Sequence, residues 1–220
     1  METIDTEHVQ QLARKGAQLV EVLPKEAYDR EHLPGAVNLA LVDMTPDAVS
    51  VLDRDRPVIT YCYDHECDLS SRAARWLDVL GFREVYDYMN SKVAWLGYGL
   101  AFEGTDGPAT RALARAEQVP THGPDDTVAD IAATIDEWPV AVVTSDRVVV
   151  GVVRPEVRSL APTTLLRDVL QPGPPSVRPS ISIRELAGSM DDDGQRWVLV
   201  TRPDGALLGL VRRSALEGDG

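Results

Sequence analysis

Apolar and polar positions change rhythm along this chain, and the changes mark its elements. In the first half, short apolar runs at Ala17 to Leu23, Ala36 to Leu41, Pro57 to Cys62 and Glu84 to Tyr88 read as strands. Between them the spacing turns helical. Thr6 reads as the N-cap of an opening helix carrying Val9 and Leu12, and a helix beginning near Ser70 carries Ala73, Ala74, Leu77 and Leu80. Strands alternating with helices predict an α/β domain built on a mostly parallel sheet.

Breakers then interrupt the pattern at Gly104 to Pro108 and again from Pro120 to Pro124, with an Ala- and Arg-rich stretch from Ala109 to Glu117 between them. Helix propensity predicts a linker helix there. Beyond it the chain repeats itself. Thr127 to Ala132, Trp138 to Thr144, a turn at Ser145-Asp146 and Val148 to Arg154 are matched by Ser182 to Ala187, Trp197 to Thr201, a turn at Pro203 to Gly205 and Ala206 to Arg212. Each copy reads helix, strand, turn, strand, and neither is large enough to bury both of its faces alone. The two are therefore expected to pack as one pseudo-symmetric α+β module. The organisation expected is a first domain over 1–104, a linker helix over 105–119 and a paired module over 120–220.

The chain has 220 residues, of which 44% are hydrophobic and 26% charged, a balance that excludes disorder. Its net charge of -13 repels nucleic-acid phosphates and anionic membranes, and no apolar run is long enough to cross a bilayer. The expected compartment is the cytosol, since Met1 to Asp5 carries no secretory pattern. Both cysteines fall in one loop, which in a reducing compartment points to reactive thiols.

That loop, Thr60-Tyr61-Cys62-Tyr63-Asp64-His65-Glu66-Cys67-Asp68-Leu69-Ser70-Ser71-Arg72, is where the chemistry concentrates. In parallel sheets ligands gather where strands end and helices begin, which is where Cys62 falls. Converging loop amides and a helix N-terminus there would favour a thiolate and a bound anion. Arg72 is placed to offset the loop's negative charge. The plainer alternative for Cys62 is an inert buried strand end, and for Cys67 simple packing beneath the loop. A zinc site from Cys62, Cys67 and His65 lacks a fourth ligand, so no metal is expected. His65 reads as a solvated loop residue and His32 as a turn residue. The tryptophans Trp76, Trp95, Trp138 and Trp197 read as packing, and Asp191 to Asp193 as a solvated turn.

Three stretches carry a resemblance to the rhodanese (sulfurtransferase) family. They are Leu19 to Leu23 running through Tyr28 into His32-Leu33-Pro34-Gly35-Ala36-Val37-Asn38, the Tyr61-Cys62 loop with its helix, and Ala94 to Leu100. The repeated half resembles a pair of cystathionine-β-synthase (CBS) motifs, a Bateman module, with Gly151 and Gly209 at the motif's glycine position.

The first resemblance implies a rhodanese-like parallel sheet flanked by helices. It also implies a persulfide on Cys62, taken from a sulfur donor and passed to a thiol acceptor, with no cofactor required. Cys67 is then a resolving thiol, and Tyr63, Asp64, His65, Glu66, Asp68, Ser70, Ser71 and Arg72 form the active-site loop. The second resemblance implies a homodimer formed through the module, with an adenine nucleotide or other anion held by Arg154, Arg212 and Arg213.

Departures are visible beside these matches. The loop is longer and more acidic than the family's common one, which opposes a dianion such as thiosulfate. Glu21 and Leu23 stand where the family has Asp and Arg after the second strand, so the supporting ion pair is expected to be missing. The module's ribose-binding Thr or Ser and Asp are Arg154 and Val157 in one copy, Arg212 and Ala215 in the other. An alternative reading is therefore a catalytically weak redox or ligand sensor on a rhodanese fold.

Overall fold

The computed structural model describes residues 1–135 and 138–217, which divide into two compact units, Met1–Pro108 and the chain from Ala109 onward. The first unit is a five-stranded parallel sheet. Its strands are β1 (Glu2–Thr3), β2 (Gln18–Glu21), β3 (Val37–Asn38), β4 (Val58–Tyr61) and β5 (Val85–Asp87), in the order β1-β5-β4-β2-β3. The helices are α1 (Thr6–Arg14), α2 (Lys25–Arg30), α3 (Leu69–Val79) and α4 (Ser91–Gly97).

Strand β4 lies at the centre, and all four of its residues are buried. A parallel strand covered on both faces needs such a continuous apolar run. Side chains alternate across it: Val58 and Cys62 join a core with Val20, Val22, Ala73, Ala74 and Leu77, whereas Ile59 and Tyr61 join a second core with Val9, Leu33, Tyr88 and Trp95. The small Ala73 and Ala74 seat α3 close against the strand that delivers Cys62.

Two local expectations change. The cap of α1 is Asp5, whose carboxylate accepts from the His8 amide, while Thr6 is buried with its hydroxyl 2.8 Å from the Tyr88 hydroxyl. Helix α3 opens at Leu69, and its preceding residue Asp68 makes no side-chain cap.

The second unit holds two three-stranded sheets. In the first copy β6 (Thr121–His122) runs parallel to β7 (Val140–Val143), which pairs antiparallel with β8 (Val149–Val153); α5 spans Val128–Ile131. In the second copy β9 (Ser176–Val177), α6 (Ile183–Asp192), β10 (Trp197–Thr201) and β11 (Leu207–Arg212) repeat the arrangement. The registers match: Val142 faces Gly151 as Val200 faces Gly209, and each ladder slips just after that pair. Each copy has its own core, and Ala141, Val152, Leu199, Leu207 and Leu210 form a shared one. Bridges from Val148 to Ala206, and from the Leu207 amide to the Arg147 carbonyl, join the copies into one module.

The predicted linker helix is replaced by two short 3-10 turns, Pro108–Thr110 and Ala112–Arg115. The backbone on either side is engaged in pairing: Arg111 bridges Ser182, Glu117 bridges Leu210, and Ala112 is fully buried in the second copy's core. Pairing with strand edges requires extended backbone, and tertiary contact overrides the helix propensity of alanine. Likewise Asp191 and Asp192 close helix α6, where the sequence suggested a solvated turn.

Candidate functional site

Cys62 ends β4 and is 0% exposed. Its backbone amide donates to Ser91 Oγ at 3.0 Å, and that hydroxyl donates in turn to the Tyr88 carbonyl at 2.8 Å. Ser91 reaches this position with a φ of 54°, in the left-handed region that a non-glycine residue enters only at a cost. The Cys62 thiol is surrounded by oxygen. Sγ lies 3.2 Å from the Cys67 carbonyl, 3.7 Å from that of Asp64, 3.6 Å from Ser70 Oγ and 3.7 Å from Ser91 Oγ.

This differs from the expected cradle of amides. In the loop the Glu66 amide donates to Asp64 Oδ1 at 3.0 Å and the Cys67 amide to the Asp64 carbonyl at 3.4 Å, so Asp64 collects them. The amides of Leu69 and Tyr63 instead support the Cys67 thiol. Burial and a hydrogen bond with Cys62 outweigh them and push that thiol above the ordinary cysteine value. Both cysteines are free thiols, Cys62 buried and Cys67 half-exposed.

Around them Tyr63, His65, Glu66, Asp68 and Arg72 are exposed, Asp64 and Ser71 half-buried and Ser70 buried. Arg72 does turn toward Asp68, but at 3.8 Å and in the open, a geometry worth little in water. Among the described residues no cluster of three metal-ligating side chains is present.

The supporting ion pair expected to be missing is present in another form. Glu21 Oε1 lies 2.7 Å from Lys92 Nζ, with the two side chains 0% and 2% exposed. The lysine also donates to the carbonyls of Ala27 (3.3 Å) and Glu31 (2.6 Å). Burial is the largest influence on Glu21 and raises its carboxyl, with Lys92 pulling it back. Lys92 follows Ser91 directly, so the pair fixes the residue that holds the Cys62 amide. A second buried carboxyl, Asp87, ends β5 beside the Ser70 hydroxyl; burial raises it, and its Oδ1 has no partner.

Sequence reasoning located Cys62 and Cys67 but missed Ser91, Lys92 and Asp87. A turn following a short strand gave the one available signal, in that Tyr88 to Lys92 interrupts an apolar pattern before Ala94-Trp95.

In the module, Arg213 pairs in two-pronged fashion with Asp191 (2.6 and 2.8 Å), and Arg212 pairs with Glu117 at 3.2 Å and lies over the Trp138 ring at 4.6 Å. Both guanidiniums expected on a ligand's phosphates thus have partners within the unit. Arg154 is exposed just past β8.

A parallel sheet with a cysteine closing its central strand, a long loop and a following helix define a rhodanese-type α/β domain, here followed by paired β-α-β-β repeats. The rhodanese-like domain family matches residues 5–98 and the CBS domain family residues 166–216. Thiosulfate sulfurtransferase GlpE of Pseudomonas syringae pv. syringae is 32% identical over 92 residues, covering 42% of this chain and 84% of that enzyme. The chain belongs to the rhodanese-like family, with a CBS domain in its second half. An HTH-type transcriptional regulator of Mycobacterium tuberculosis is 33% identical over 82 residues, covering 37% of this chain; the chain spans 35% of that regulator's length. The crystal structure of CBS domains of a transcriptional regulator from Streptococcus pneumoniae covers 48% of this chain and 95% of its own, at 23% identity and a TM-score of 0.43. No helix among the described residues is long and apolar enough to cross a membrane.

Proposed function

We propose that the first domain is a sulfurtransferase in which Cys62 attacks the sulfane sulfur of a donor, carries it as a persulfide and yields it to a thiol acceptor. The observation that carries this reading is the placement of Cys62. It closes the central parallel strand beside the N-terminus of α3, in a domain similar to thiosulfate sulfurtransferases over most of their length. The acidic loop favours an uncharged or cationic donor over thiosulfate, because Asp64, Glu66 and Asp68 repel a dianion. The working compartment is the reducing cytosol, where free thiols persist.

The CBS pair regulates this activity or holds two chains together as a homodimer. An adenine nucleotide or other anion is its candidate ligand, with Arg154 as the exposed cation. Mass measurement by light scattering tests the dimer, and a melting-temperature rise with nucleotide tests the ligand.

Incubation with thiosulfate, and separately with a low-molecular-weight persulfide, followed by peptide mass spectrometry tests the sulfur chemistry. One added sulfur on Cys62, lost in Cys62→Ser, is the expected result; a folded protein that takes up no sulfur from either donor refutes it. One observation favours a second reading, a weakly catalytic redox or ligand sensor. Sγ faces carbonyl oxygens instead of amides, an environment that holds an anionic sulfur poorly.

A further inference from the structure

We infer that the first copy of the module holds a binding site for an amphipathic carboxylate, an aliphatic chain ending in a carboxyl group, in an apolar recess with Arg158 at its rim. The sulfur chemistry of the first domain makes no use of this recess, and Arg154, the exposed cation considered for a nucleotide, does not line it.

The recess has a volume of about 410 Å³ and lies within the second unit, between α5 and the 3-10 turn Pro155–Ser159. Val128, Ile131, Ile135, Val157 and Leu160 form most of its wall, and Arg158 is the charged side chain among its lining residues. Small-molecule sites have this size and this make-up, apolar walls with a few fixed polar groups. Water in such a recess finds few hydrogen-bond partners, so an aliphatic chain displaces it favourably.

The second copy treats the matching position differently. Val142 faces Gly151 as Val200 faces Gly209, and Arg158 and Leu216 stand the same number of residues beyond those glycines. Leu216 is buried and packs with Leu186 and Met190. Counted from the N-caps Thr127 and Ser182, the counterparts of those two residues are Ile131 and Ile135, both of which line the recess. The helices differ as well, since α5 spans four residues and α6 spans ten. A leucine closes one core, whereas the other has an open recess and a cation. The fold does not require a charge there.

Arg158 is suited to hold a carboxylate. It is exposed, and its Nη2 donates to the Ile135 carbonyl, which anchors the guanidinium beside the apolar wall. Nε and Nη1 remain to donate to a ligand. The planar fork of a guanidinium matches a carboxylate, and such charge-assisted bonds are about twice as strong as neutral ones. One cation with apolar walls selects a single negative charge carried on a hydrocarbon chain, because a polyphosphate would bury no aliphatic surface against them.

The test uses the full chain with acetate, hexanoate, octanoate and uncharged octanol as probes, read by calorimetry and by the thermal midpoint. Octanoate is expected to bind once per chain and raise the midpoint, with affinity falling roughly fourfold for each methylene removed, so that acetate is silent. Octanol, which lacks the pairing with Arg158, should bind about tenfold more weakly. Arg158→Leu reproduces the residue of the second copy; it is expected to abolish octanoate binding while folding at least as stably as wild type. Ala132→Phe, which fills the recess from another lining position and keeps Arg158, should also abolish binding. Octanoate that leaves folded wild type unchanged at millimolar concentration, that binds Arg158→Leu as tightly as wild type, or that binds no better than octanol overturns the inference. So does a wild-type dimer that Ala132→Phe converts to monomer without any octanoate binding, which would assign the recess to a contact between two copies of the chain.

Discussion

Glu21 and Lys92 meet at 2.7 Å inside the first domain, on strand β2 and helix α4, with almost no solvent on either side chain. Removing one partner of such a pair strands the other charge. Lys92→Met is expected to lower stability by ~3–5 kcal/mol in urea unfolding, and Glu21→Gln combined with it to recover a good part of the loss. The variant should also slow alkylation or sulfur uptake at Cys62 if Lys92 positions Ser91. Equal stability of Lys92→Met and wild type would dismiss the pair as a support.

Ser91 sets two effects against each other. Its left-handed backbone favours glycine, while its hydroxyl accepts from the Cys62 amide. Ser91→Ala keeps the strain and orphans a buried amide, which costs about 1–3 kcal/mol. Ser91→Gly orphans the same amide but relieves the backbone, by roughly 1 kcal/mol. Denaturation should therefore rank glycine above alanine, with both below wild type. Alanine at or above glycine would mean that the φ carries no strain.

What the sequence made legible follows from this geometry. Cys62 was readable because a strand buried on both faces must be a continuous apolar run, and Ala73, Ala74 and Leu77 mark the helix that covers it. Lys92 was not readable: lysines are almost always exposed, and its partner Glu21 lies in a distant strand, so neither periodicity nor spacing connects them. The repeat in the second half announced itself through β7, β8, β10 and β11. The two-residue strands β6 and β9 are too short to show a period, and Ala109 to Glu117 misled because its composition reports propensity and not the strand edges it pairs with.

Gly151 and Gly209 mark one device used twice. A Cβ on Gly209 would lie 2.7 Å from the Glu117 carbonyl oxygen, and one on Gly151 would lie 2.8 Å from that of Gln171. Each strand is crossed there by a backbone segment that bridges its neighbour, Glu117 to Leu210 and Gln171 to Val152. Alanine at either position should destabilise the second unit by about 1–3 kcal/mol through overpacking, read as a lower midpoint in thermal or urea unfolding. An unchanged midpoint for both variants would show that the crossing segments move aside freely.

Asp87 gives a stability signature with a definite sign. Burial raises its carboxyl above the usual aspartate value, so the folded chain holds that proton to higher pH than the unfolded one. Its contribution is then complete below the ordinary aspartate range and is lost as pH rises through the raised value. Asp87→Asn should remove that loss. The variant's stability relative to wild type should climb between acid and neutral pH in unfolding curves, and a constant difference across that range would contradict the assignment.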